Sequence, residues 1–106
     1  MELENIKSKI KDLAFEIHQQ DYDENCMLFE MDANYEILAY LLDKNISLGD
    51  YNLDDLYNDY DNKYVDNWFD IMQELNSAVV SDNPPFAIHP EALELFNCFN
   101  TAFRNT

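Results

Sequence analysis

A chain of 106 residues is one domain's worth, enough to bury a core without metals or disulfides. Twenty-two Asp and Glu oppose six Lys and Arg, for a formal net charge of −16. That charge excludes direct binding to nucleic acid or to an acidic membrane surface, both of which need positive charge on the protein. Hydrophobic residues still make up 47%, with seven Phe, seven Tyr and one Trp, so material for a packed core is present and disorder is disfavoured. A halophilic origin would explain the scarcity of Lys but not the wealth of Asn and bulky aromatics.

One Gly and three Pro over this length favour helices over a strand-and-turn fold. The first helix is predicted from about Glu2 to Gln20, where Leu3, Ile6, Ile10, Leu13, Ala14 and Ile17 recur at steps of three and four and form one apolar stripe. It carries half of the basic residues, Lys7, Lys9 and Lys11; from Asp12 onward only Lys44, Lys63 and Arg104 are basic. Asp21-Tyr22-Asp23-Glu24 breaks the stripe and suits a turn leading to a helix N-terminus, where backbone N–H groups favour negative charge.

A second helical region is predicted from about Glu24 to Lys44, with a restart allowed at Asp32. Its opening run, Cys26-Met27-Leu28-Phe29, is the nearest thing to a strand, and periodicity alone does not assign it. The later half, Tyr35 to Leu42, is apolar almost all round, as in the buried centre of a bundle. Asn45 and Gly49 mark a loop. Asn52 then suits the N-cap of a third helix running to about Val79. On that helix Leu53, Leu56, Tyr57, Tyr60, Tyr64, Trp68, Ile71 and Leu75 share one face, and Asp55, Asp59, Asn62, Asp66 and Asp70 share the opposite one. Ser81-Asp82-Asn83-Pro84-Pro85 ends it. A last helix begins near Pro90, with Leu93, Phe96 (or Leu95), Cys98, Phe99 and Phe103 as its apolar face. The expected fold is all-α: a small antiparallel four-helix bundle, with five helices allowed, forming a single domain over residues 1–106.

Catalysis needs a cluster of groups with matched roles, and none is evident, so the chain is not expected to be an enzyme and no cofactor is implied. His18 and His89 each stand alone; the first reads as a surface residue and the second as preceding or capping the last helix. There is no Gly-rich phosphate loop and no zinc spacing. Cys26 and Cys98 read as small buried hydrophobes, with a single bridge between them left open. The stretch Asp21 to Asp32 partly resembles an EF-hand calcium loop, with oxygens at positions 1, 3 and 5, but Cys26 replaces the turn Gly and Asp32 the bidentate Glu. Lys and Glu alternate at the start and no apolar run reaches membrane length, so a cytoplasmic location is expected, in a bacterium or a phage-infected host cell.

The remaining feature is the acidic surface, and its natural partner is a basic protein. On a helix a four-residue step rises about 6 Å, near the phosphate spacing of a nucleic-acid strand. On a continuous third helix Asp55, Asp59, Asp66 and Asp70 would form a rod of carboxylates about 22 Å long. Phe69, Tyr51 and Tyr22 are the aromatics expected to face outward beside it, and Asp21, Asp23 and Glu24 complete the candidate partner-binding set. In size, charge and helical content the chain resembles two classes: phage-encoded DNA mimics of the anti-restriction and anti-CRISPR kind, and the small acidic helical immunity proteins that neutralise nuclease toxins. Charge spread over two segments, Asp21 to Glu36 and Asp50 to Glu74, favours the first. The partner would then be a nuclease or a CRISPR or restriction component, and a homodimer is compatible with the sequence. A third reading is a helical adaptor or oligomerisation module whose interface is apolar, formed by Phe86, Ile88 and the last helix.

Overall fold

The computed structural model describes residues 2–19, 26–59 and 68–104, with side chains described for 2–16, 29–58 and 68–103. The expected all-α bundle is what these residues form. In chain order they build α1 (Leu3–Gln19), α2 (Cys26–Asp43), α3 (Leu53–Asp59), α4 (Trp68–Val79) and α5 (Pro90–Arg104), with no strand among the described residues. The helix α1 packs on α2 and α5, α2 packs on α5, α3 packs on α2, and α4 packs on α5. None of the described helices is long and apolar enough to cross a membrane.

The α1 stripe is as expected: Ile6, Ile10 and Ala14 are buried, and Leu3 and Leu13 lie at the core's edge. The apolar run Cys26 to Phe29 is the opening of α2, and α2 passes Asp32 without a restart. Met31, Ala33, Ile37, Leu38, Tyr40 and Leu41 are all buried, so this helix is the centre of the bundle. Its end is set by a left-handed residue. Asn45 has φ 57°, its N–H bonds the Leu42 carbonyl at 3.2 Å, and the Ile46 N–H reaches back to the Leu41 carbonyl at 2.9 Å. This pair of bonds is a Schellman closure, with buried Leu41 and Ile46 supplying its apolar contact. Gly49 is the second left-handed residue, also at φ 57°, and the Phe86 ring fills the space a Cβ would need, 2.6 Å from that position.

Asn52 caps α3 as expected: its Oδ1 accepts from the Asp55 N–H at 3.1 Å. The single helix expected from Asn52 to Val79 does not exist. The Trp68 indole N–H donates to the Leu56 carbonyl at 2.7 Å in a buried setting. Twelve residues of continuous helix would separate those positions by about 18 Å, beyond the reach of an indole. The chain therefore folds back between α3 and α4, and both ends of the fold-back are anchored in the core by buried Leu56 and Trp68.

His89 caps α5. Its Nδ1 accepts from the Glu91 N–H at 3.1 Å and its carbonyl from the Leu93 N–H, with Pro90 in the first helical position. The buried face of α5 is Ala92, Leu95, Phe96 and Phe99; Phe96, Leu95 and Phe99 are as expected, Cys98 and Phe103 are partly buried against the core, and Leu93, 37% exposed, is off the face. Three- and four-residue steps from Ala92 include Leu95, Phe96 and Phe99 but place Leu93 about 100° away, on the flank.

Candidate acidic interface

The fold-back between α3 and α4 determines the geometry of the acidic surface. Two contacts fix how the helices face each other: Trp68 on Leu56, and the Tyr51 hydroxyl donating to Glu74 Oε1 at 3.2 Å. Position 51 lies near 74 and position 56 near 68. On α3 the buried pair Leu53 and Leu56 turns Asp54 and Asp55 outward; on α4 the buried row Trp68, Met72, Leu75 and Val79 turns Asp70 and Glu74 outward. With exposed Asp50 ahead of α3, five exposed acids come from two short helices and one loop.

The expected rod of Asp55, Asp59, Asp66 and Asp70 along one continuous helix is not present, because α3 and α4 are separate helices. Asp55 and Asp70 are both exposed, on different helices. Asp70 and Glu74 keep the four-residue step of about 6 Å on α4. The Asp59 side chain, Asp66, and the whole set Asp21, Tyr22, Asp23 and Glu24 lie outside the described residues. Phe69 was expected to point outward and does not: it is half-buried and packs on the core, one position after Trp68 on the flank of the buried row. Tyr51 is also half-buried against the core, its ring edge-on to Phe86 with centroids 6.1 Å apart, but its hydroxyl reaches the acidic surface at Glu74. Partial burial, and then the bond to Glu74, raise the Tyr51 phenol above its ordinary value, so at neutral pH it is a hydrogen-bond donor.

One feature of this side of the molecule escaped the periodicity. Tyr35 on α2 stacks on Tyr57 of α3, with centroids 4.7 Å apart, planes within 17° and hydroxyls 2.8 Å apart. The signal available in the sequence was a tyrosine in an otherwise apolar helix, since a phenol inside a core needs a polar partner.

Charge is segregated across the fold. The ion pairs among the described residues all involve α1: Lys7 with Glu94 at 2.8 Å and with Glu4 at 3.7 Å, and Lys9 with Glu36 at 3.4 Å. The hydrogen bond to Glu94 raises the Lys7 ammonium above its usual range. Lys44 stands 5.8 Å from the centre of the Tyr40 ring. Asp50, Asp54, Asp55, Asp70 and Glu74 have no cation beside them among the described residues. Such carboxylates can accept charge-assisted hydrogen bonds from Arg and Lys of a partner.

The calcium-loop resemblance is weakened on its second half. Residues Cys26 to Asp32 are helical, so their carbonyls are committed to helix hydrogen bonds instead of forming the sharp turn of a calcium loop. Among the described residues no group of three or more His, Cys, Asp or Glu is placed to hold a metal ion. Cys98 is a free thiol, half-buried and 3.9 Å from the Lys7 carbonyl, and burial raises it above the ordinary thiol range. That environment does not generate a reactive thiolate.

No family model matches the chain, and neither a curated protein nor a solved structure matches it.

Proposed function

We propose that this protein is an acidic inhibitor, not an enzyme, and that it occupies the basic nucleic-acid-binding groove of a DNA- or RNA-handling enzyme, as DNA-mimic anti-restriction and anti-CRISPR proteins do. The observation that carries this reading is the segregation of charge: five exposed acids on the α3–α4 side without a neighbouring cation among the described residues, while the ion pairs gather at α1. Self-repulsion of this kind destabilises a fold, and an acidic face directed at a Lys- and Arg-lined groove gives that cost a use. Tyr51, half-buried against the core with its hydroxyl on Glu74, holds that carboxylate in place at the acidic surface.

The immunity-protein reading, in which the groove belongs to a nuclease toxin, gains from one observation. The Tyr35–Tyr57 stack, with Tyr57 on the same short helix as Asp54 and Asp55, supports that reading, since aromatics beside acids suit a concentrated hot spot.

The experiment is a pull-down from a bacterial lysate expressing candidate restriction, CRISPR and nuclease proteins, in stepped salt and with competitor DNA. Retention of a nucleic-acid enzyme at low salt, its loss at high salt and its displacement by DNA support the proposal. The double substitution Asp55→Lys, Asp70→Lys should weaken that binding by about 100-fold or more without unfolding the chain, because both side chains are exposed. A partner held regardless of salt and DNA would instead point to the adaptor reading.

A further inference from the structure

We draw no further inference here: the strongest candidate, the apolar cleft between α1 and α5 lined by Lys7, Lys11, Leu93, Glu94, Cys98 and Ala102, carries nothing, because nothing in the structure shows what covers it.

Discussion

Replacing Trp68 with Phe tests the fold-back on which the acidic patch depends. The indole is 1% exposed, and its N–H meets the Leu56 carbonyl at 2.7 Å. Leu56 lies in the last described turn of α3, and its carbonyl accepts the indole N–H. Phe keeps an aromatic ring but removes that donor, so a buried carbonyl loses its partner at a cost of about 1–3 kcal/mol. The smaller ring leaves a gap that costs about 1 kcal/mol more. The total, about 2–4 kcal/mol, is a large share of what a domain of this size has. Urea unfolding followed by far-ultraviolet circular dichroism reads it without relying on Trp fluorescence, since Trp68 is the sole Trp. Amide exchange adds the local readout: protection should fall first in α3, with α1 and α2 least affected. A loss below about 0.5 kcal/mol with α3 protection unchanged would refute the claim that this buried bond clamps α3 to α4.

Two further substitutions test the loop and the core. Gly49→Ala should destabilise by about 1–3 kcal/mol, because the left-handed backbone penalises a Cβ and the Phe86 ring occupies its place; thermal unfolding measures it, and Phe86→Ala in the same chain should recover part of the loss. Tyr40 is buried, its hydroxyl donating to Glu91 at 3.0 Å, and burial first, then that bond, raise its phenol above the ordinary value of about 10. The folded state therefore holds the phenolic proton more tightly than the unfolded chain. The resulting stability is intact below about pH 10 and is lost as pH rises through the folded-state value. Urea midpoints between about pH 8 and about pH 11 should fall less steeply in Tyr40→Phe than in the natural chain.

The helices were legible where an apolar stripe met a capping residue. Ile6, Ile10 and Ala14 announce α1, Asn52 announces α3, and His89 with Pro90 announces α5. The error in the middle of the chain has a specific cause. Leu53, Leu56, Tyr57, Trp68, Ile71 and Leu75 fit one helical face, but a face drawn at 100° per residue fits equally well when two helices with compatible phases are joined by a reversal. No Gly or Pro stands between Asn52 and Val79 to signal it. What decides the matter is a tertiary hydrogen bond, Trp68 to Leu56, and periodicity carries no information about that. The same limit explains Phe69: its position beside Asp70 reads as exposed on a long helix but becomes the flank of a buried row once α4 packs on α5.

The reversal also changes what the acidic surface can imitate. One long helix would have offered a single file of carboxylates matched to one strand of phosphates. Two short helices carry the carboxylates instead: Asp54 and Asp55 on one, Asp70 and Glu74 on the other, with Tyr51 bonded to Glu74. A single patch of this kind suits a compact groove. The two sides of the molecule differ in charge balance. The α3–α4 side concentrates carboxylates away from cations, while the α1–α5 side places Lys7 and Lys11 against Glu4 and Glu94. The lysines of α1 therefore pair with acids on their own side without neutralising those of α3 and α4, a division that mixing the same residues over the whole surface would abolish.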